Sequence, residues 1–259
     1  MKIVIITQNA PVYLGQFLDQ LLEDLEHKVK GIVVLSPFFK KNFVDDIIER
    51  FHFYGYKSFF LMSGFILYNK IRSLIHNIFK SGVCFSVSNV IKKYELDREI
   101  IDDINSVDFI NYIKDNKIDL IISIASPKIF KEKLINAPTL GCINYHTGFL
   151  PKYRGRQPLF WAMHNDEDFF GISIHFMDKL IDNGPIIVQQ KIPIEPSDSL
   201  HSLYKKSITF GPKLLQLAIN KIVDKTHKII KNHDSEKTHY SFPSREDGKK
   251  FRSNNKNFF

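Results

Sequence analysis

Three continuous apolar runs, at residues 3–7, 29–35 and 118–124, constrain what this chain can fold into. They are rich in Ile, Val and Leu and lack polar alternation, so each is predicted to be a strand buried on both faces. Residues 14–25 and 107–116 lie between these runs and repeat apolar side chains with helical spacing. This alternation is typical of an α/β fold, in which helices cover both faces of a mostly parallel twisted sheet.

The second half of the chain continues the pattern. We expect strands at 141–144, 171–177 and 186–194, and helices at 127–134, 157–164 and 199–223. Ser126 is the expected N-cap of the helix at 127–134, and Asp198 or Ser199 is the expected cap of the last helix.

An aromatic-rich segment at about 38–80 interrupts the alternation. We interpret it as an inserted helical hairpin with a small core of its own. A dimer surface, a platform for a nucleotide base and a weak membrane contact remain alternatives. The residues expected on one buried helix face are Leu61, Phe65, Tyr68, Ile71, Ile75 and Ile78.

The composition limits the class of protein. Hydrophobic residues make up 44% and charged residues 25%, which is ordinary for a globular chain and excludes disordered and coiled-coil classes. Apolar runs are too short for a membrane span or a signal peptide, so no stable membrane insertion is expected. The two cysteines, Cys84 and Cys142, form neither a disulfide framework nor a zinc pattern, which favours the cytoplasm.

The formal net charge of +8 would suit nucleic acid, a membrane surface or an anionic small substrate. The positive excess lies in the segments 38–80 and 225–259, and the rest of the chain is close to neutral. We therefore treat both segments as basic peripheral parts and expect no nucleic-acid partner.

Polar residues after the strand at 141–144 carry the strongest candidate for chemistry. Asn144 and His146 are two positions apart, so an extended backbone directs both side chains to the same side. Asn supplies an uncharged donor, and His supplies a base that titrates near neutral pH. Asp182 follows a later strand in an Asp-Asn-Gly-Pro turn. Taken singly, each of these residues also has an ordinary structural explanation.

Two common types of site are excluded. The turn after the first strand, at residues 7–11, lacks the glycines of a dinucleotide or phosphate loop. No cluster has metal-ligand spacing, so we expect no metal.

Together, however, these motifs resemble the folate-dependent formyltransferase family. The likeness consists of Asn-x-His at 144–146, Leu-Pro-x-Tyr-Arg-Gly at 150–155 and the Asp182 turn, and it runs from about residue 103 to 203, with more at 238–240. It implies a Rossmann-like formyltransferase fold in residues 1–224, with residues 225–259 as a short basic extension. It also implies formyl transfer from 10-formyltetrahydrofolate, which becomes tetrahydrofolate, to a primary amine.

The resemblance assigns roles to individual residues. Asn144 would bind the developing oxyanion, His146 would shuttle the proton, and Asp182 would orient the imidazole and favour its cationic form. The folate would lie against two loops, and these supply the expected cofactor residues Ala125, Ser126, Pro127, Lys128, Ile129, Leu180 and Ile181. The expected contacts to an anionic acceptor are Arg154, Arg156 and Gln157.

Departures from the family pattern bear on the acceptor. The chain has too few residues after 223 for the tRNA-binding domain of methionyl-tRNA formyltransferases, and it lacks the glycine-rich first loop of glycinamide ribonucleotide formyltransferases. It is therefore most similar to the bacterial nucleotide-sugar N-formyltransferases of surface polysaccharide biosynthesis, which implies a nucleotide-linked amino sugar as partner. Methionyl-tRNA, glycinamide ribonucleotide, a formyltetrahydrofolate hydrolase and a folate-binding protein without activity remain alternatives.

Overall fold

A seven-stranded sheet forms the centre of the computed structural model, which describes residues 1–10, 12–36, 43–79, 82–99 and 101–259. Its order is β3–β2–β1–β4–β5–β7–β8, in which β3, β2, β1, β4 and β5 run parallel and β7 pairs antiparallel with both β5 and β8. The strands are β1 (Lys2–Gln8), β2 (Lys28–Leu35), β3 (Asp97–Glu99), β4 (Leu120–Ile124), β5 (Cys142–His146), β7 (Phe169–Phe176) and β8 (Ile186–Pro193). The predicted mostly parallel sheet is confirmed.

Helices cover both faces of this sheet, as predicted. They are α1 (Leu14–Glu23), α2 (Phe43–Tyr54), α3 (Tyr56–Phe79), α4 (Val87–Lys93), α5 (Val107–Asp115), α6 (Glu132–Ile135), α7 (Pro158–His164), α8 (Leu200–Val223) and α9 (Arg245–Ser253). Successive residues of β1 enter opposite cores, with Ile3 and Ile5 on the face of α1 and α8 and Val4 and Ile6 on the face of α5 and α6. Burial on both faces explains the continuous apolar runs of the sequence.

The prediction of a helix at 127–134 is wrong for residues 127–131. Helix α6 begins only at Glu132, and Lys131, not Ser126, is its N-cap. The Asn105 side chain accepts a hydrogen bond from the Lys131 N–H at 2.7 Å and donates to the Ile129 carbonyl at 3.0 Å. These two bonds occupy backbone groups that the first turn of a helix would use, which explains the shorter helix.

The insertion is helical, as expected, but its described residues form no core cluster of their own. Helices α2 and α3 follow one another with only Gly55 between them, while residues 38–42 and 80 lie outside the described part of the chain. Phe53 of α2 enters the main core beside Phe160 and Phe258. The face expected to be buried is mostly exposed, since Leu61, Tyr68, Ile71, Ile75 and Ile78 lie on the surface and only Phe65 packs inward.

The C-terminal segment 225–259 is not peripheral. A short strand β9 (His239–Tyr240) pairs in parallel with β6 (Arg154–Gly155), directly beside the candidate site. Phe251 and Phe258 are fully buried and stack on or near Phe160 of α7. Aromatic side chains therefore anchor a segment that is basic in composition, and its separation from 1–224 as a unit stays a prediction.

Candidate active site

Strand β5 directs Asn144 and His146 to one side of the sheet. Tyr145, between them, points to the other side, where its hydroxyl donates to the Ser207 carbonyl of α8 at 3.1 Å. The pairing of β5 with β4 places Asn144 opposite Ser123, one residue before the carboxyl end of β4. Ligands bind at such strand ends in open α/β sheets, so the two side chains stand where chemistry is expected.

Asp182 joins both side chains through a loop that follows β7. Its Oδ1 accepts a hydrogen bond from Asn144 Nδ2 at 3.2 Å, and its Oδ2 lies 3.6 Å from His146 Nδ1. The backbone N–H of Gly155 also donates to Oδ2 at 2.8 Å. The structure thus brings together the three residues that the sequence singled out.

The ionisation of Asp182 follows from these contacts. Burial alone would raise the pKa of the carboxyl group, but His146, His175 and the Gly155 N–H stabilise the anion and hold its pKa well below the usual range. Asp182 is therefore a carboxylate near neutral pH and a fixed negative charge in the site.

The imidazole of His146 is nearly enclosed. Its Nε2 lies 2.8 Å from the Tyr153 carbonyl oxygen. Because a carbonyl only accepts, Nε2 carries the proton and Nδ1 faces Asp182. Burial lowers the pKa of His146, and this effect outweighs the attraction of Asp182, which raises it. Asp182 thus favours the cationic form, but burial outweighs this effect and the ring is neutral near pH 7. That Asp182 orients the imidazole for catalysis stays a prediction.

His175 is a further member of the cluster, and the sequence motifs do not single it out. It lies opposite Asn144 in the antiparallel pairing of β5 with β7. Its Nε2 is 3.3 Å from Asn144 Nδ2 and 3.6 Å from Asp182 Oδ1, while Nδ1 lies 2.8 Å from the Phe176 carbonyl. The sequence does not show which strand pairs with β7. The position of His175 in the site could therefore be known only from the register between β5 and β7.

Arg154 does not face solvent or an open acceptor site. Its guanidinium group is buried and donates to Asn183 and Asp234, both at 2.8 Å, and to Asn232 at 2.9 Å. The expected acceptor contact is therefore corrected to a clamp that fixes the C-terminal segment to the Asp182 loop. Gly155 follows with φ of +96°, and a Cβ there would lie 2.2 Å from the Tyr240 carbonyl oxygen, so only glycine lets β6 and β9 approach.

The other two expected acceptor residues differ in exposure. Arg156 is exposed and lies over the Phe242 ring, 5.7 Å from its centroid. Gln157 caps α7 in a left-handed conformation, and its Oε1 accepts a hydrogen bond from the Tyr204 hydroxyl at 2.6 Å. Acceptor binding by Arg156 and Gln157 stays a prediction.

The expected cofactor loops contain apolar side chains that lie open to solvent. The loop 125–129 leaves the carboxyl end of β4, and Ala125 adopts a left-handed turn with φ of +52°. Ile129, Leu180 and Ile181 are each about half exposed or more. Ser126, Pro127 and Lys128 are partly buried. Uncovered apolar side chains next to a polar cluster suit an aromatic ligand, and folate binding here stays a prediction.

A cavity of about 230 Å³ lies against the segment that follows His146 in the chain. Thr147, Gly148 and Tyr153 of that segment are among its lining residues. Among the described residues, no group of three or more His, Cys, Asp or Glu side chains could hold a metal ion.

The known proteins that this chain is similar to are formyltransferases. The model of the family described as Formyl transferase matches residues 86–219, about half of the chain. A methionyl-tRNA formyltransferase of Staphylococcus epidermidis is 40% identical over 129 residues, 50% of this chain and 42% of the relative. The chain thus spans less than half the length of that relative.

Solved structures resemble nearly the whole chain at lower identity. One is an N-formyltransferase of Helicobacter canadensis in complex with folinic acid and dTDP-3-aminofucose, with a TM-score of 0.60, 18% identity and coverage of 98% of this chain and 80% of that one. Another is a phosphoribosylglycinamide formyltransferase of Bacillus halodurans, with a TM-score of 0.58, 16% identity and coverage of 87% and 97%. At these identities the similarity shows the fold.

Proposed function

Because this chain belongs to the formyl transferase family, we propose that it transfers a formyl group from 10-formyltetrahydrofolate to the primary amine of a nucleotide-linked amino sugar. The observation that carries the reaction class is the cluster in which Asp182 contacts both Asn144 and His146. Such a cluster supplies a neutral hydrogen-bond donor, a neutral base and a fixed negative charge within one hydrogen-bonded group.

The chemistry requires stabilisation of one charge. The lone pair of the amine attacks the formyl carbon, and the electrons of the carbonyl bond move to the formyl oxygen. Asn144 Nδ2 is the donor for that oxygen, and the oxygen takes the place of the longer 3.3 Å contact to His175. A donor in this role typically contributes about 3 kcal/mol to the transition state.

The chemistry also moves one proton. The attacking nitrogen becomes acidic as it forms the new C–N bond, and the folate nitrogen must gain a proton before it leaves. His146 accepts the proton at Nδ1, where Asp182 stabilises the imidazolium, and returns it to the leaving nitrogen. The products are the formylated amine and tetrahydrofolate, and no net proton is consumed.

The acceptor is proposed on two grounds. Residues 7–11 lack the glycines that a free phosphate would require after β1. The similar N-formyltransferase of H. canadensis was solved with a dTDP-linked amino sugar. Methionyl-tRNA is the second candidate, because the S. epidermidis enzyme has the higher sequence identity, 40% over 129 residues.

The reaction class is tested with His146→Ala. We expect this variant to lose tetrahydrofolate release from 10-formyltetrahydrofolate and amine while its circular dichroism spectrum is unchanged. His233→Ala is the matched control, because His233 is exposed and lies outside the cluster. Near-normal activity of His146→Ala would contradict the proton-transfer role.

The acceptor is tested by a panel of dTDP- and UDP-linked amino sugars with methionyl-tRNA and glycinamide ribonucleotide as alternatives. The proposal predicts formylation of at least one amino sugar, detected by mass spectrometry. Turnover only with methionyl-tRNA would refute the sugar acceptor and keep the reaction class. Formate release without an amine would indicate a hydrolase, and folate binding without turnover would indicate a binding protein.

A further inference from the structure

Helix α3 (Tyr56–Phe79) directs polar side chains toward the protein and apolar side chains outward, the opposite of a typical surface helix. The face toward the protein carries Asn69 and His76, which are buried, and Ser73, whose hydroxyl lies 2.8 Å from that of Ser86. Asn89 of α4 donates to the Ser73 carbonyl at 3.1 Å. The attachment of α3 to α4 is thus largely polar.

The opposite face, called the outer face of α3, is apolar and exposed. A Cβ on Gly64, in the middle of this face, would have no atom within 4 Å. The apolar side chains on it are Phe60, Leu61, Leu67, Tyr68, Ile71, Leu74, Ile75 and Ile78, with exposed fractions from 39% to 72%. An apolar surface this continuous is typical of a face that contacts an apolar partner.

The positive charge of α3 indicates which kind of partner its apolar face can contact. The helix contains Lys57, Lys70 and Arg72 and no acidic residue. By helical spacing, Lys70 and Arg72 flank the apolar stripe on its two sides. Lys57 and Lys70 are exposed, and no ion pair is found for them among the described residues. A second copy of α3 would meet this face with like charge, whereas an anionic surface would complement it.

The location of α3 connects this face to the site. Phe65 contacts Tyr13, with ring centroids 6.0 Å apart, and Tyr13 follows the carboxyl end of β1. Since β1 and β5 run in the same direction, the carboxyl ends of both strands lie at one edge of the sheet. Helix α3 therefore borders the edge at which His146 stands.

We propose that the outer face of α3 docks on the surface of an anionic phospholipid bilayer. The helix lies in the plane of the headgroups, its apolar side chains enter the acyl boundary, and Lys57, Lys70 and Arg72 contact lipid phosphates. None of the described helices is both long and apolar enough to cross a bilayer. The contact is thus peripheral and independent of which amine is the acceptor.

The test is flotation of the full chain with vesicles of phosphatidylcholine and phosphatidylglycerol in equal amounts, beside vesicles of phosphatidylcholine alone. We expect the protein to float with the anionic vesicles and to dissociate as salt is raised. Leu67→Glu with Ile71→Glu places two acidic groups on the outer face and should weaken binding by about a hundredfold. Lys57→Gln with Lys70→Gln should weaken binding to the anionic vesicles and leave any binding to vesicles of phosphatidylcholine alone unchanged.

The matched control is Val107→Glu with Leu217→Glu, which makes the same change at two exposed apolar residues outside α2 and α3. This variant should bind like the wild type, and circular dichroism should show all variants folded. Absence of wild-type binding, or equal binding by Leu67→Glu/Ile71→Glu, would overturn the proposal. A lipid-free dimer that the same double variant dissociates, without vesicle binding, would overturn it in favour of a second copy.

Discussion

Replacement of Asp182 by asparagine tests the site most directly. Asp182→Asn keeps the size of the side chain and removes its charge. The new amide group donates where one carboxylate oxygen accepted, so it opposes either the Gly155 N–H at 2.8 Å or the Asn144 amide at 3.2 Å. Every rotamer of the amide therefore loses one hydrogen bond in addition to the charge.

The magnitude follows from the distance between His146 and Asp182. Opposite unit charges 3.6 Å apart attract by about 4.6 kcal/mol at the effective dielectric constant of about 20 that suits protein sites. This attraction arises only when the imidazole is protonated, so it stabilises the transition state and not the neutral resting form. Its loss lowers kcat/KM by about a thousandfold.

The same substitution has a defined effect on the pH profile. Activity requires neutral His146, so kcat/KM falls as the pH drops through the pKa of that imidazole. Asp182 raises the pKa of His146, and its removal lets the pKa fall further. The acid limb of Asp182→Asn should therefore lie at lower pH than that of the wild type. Titration of the amine substrate is common to both proteins and cancels in this comparison.

The assay is the initial rate of tetrahydrofolate release across pH, with Asp178→Asn as the control. Asp178 lies in the same loop and accepts hydrogen bonds from the Leu180 N–H and the Asn183 amide, but it does not contact His146. Asp178→Asn should keep the wild-type acid limb and most of the activity. Equal losses in the two variants, or an unchanged acid limb in Asp182→Asn, would refute the argument.

Three further predictions concern the site and its supports. His175→Asn should lower kcat by about tenfold with little change in KM, because His175 is one of the two groups that orient the Asn144 amide before the formyl oxygen takes its place. A rise in KM alone in steady-state kinetics would contradict this. Gly211→Ala should destabilise the fold by about 2 kcal/mol, because its Cβ would lie 2.4 Å from the Tyr145 hydroxyl. Gly64→Ala, in the exposed helix α3, should instead stabilise the fold by about 0.8 kcal/mol. If urea denaturation ranked the two variants in the opposite order, the contacts described for these glycines would be refuted. Arg154→Met should cost about 2 kcal/mol and expose residues 225–259 to limited proteolysis, and an unchanged cleavage pattern would contradict the clamp.

Some parts of the site could be predicted from sequence because they depend on local chemistry. The spacing of Asn144 and His146 places both on one side of any strand, so their common direction required no tertiary information. The role of Arg154 could not be predicted in this way. Its partners Asn183, Asn232 and Asp234 are far away in sequence, and a charged residue in a loop is usually solvated.

The apolar face of α3 also could not be interpreted correctly from the sequence alone. Helical spacing correctly placed Leu61, Tyr68 and Ile71 close together on the helix, but spacing does not indicate what covers a face. The protein packs the polar side of α3 against α4 and leaves the apolar side exposed. Burial depends on the whole set of neighbours, which no local pattern contains.

The sequence by itself determined the strand and helix periods, hence the α/β class, and it determined which residues carry groups able to donate, accept or titrate. Only the tertiary structure decided that His175 completes the cluster, that burial keeps His146 neutral beside Asp182, and that Phe251 and Phe258 anchor the C-terminal segment. The physical reason is that periodicity and chemical identity are properties of a few neighbouring residues. Desolvation, ion pairing and packing depend on atoms that folding brings together from distant parts of the chain.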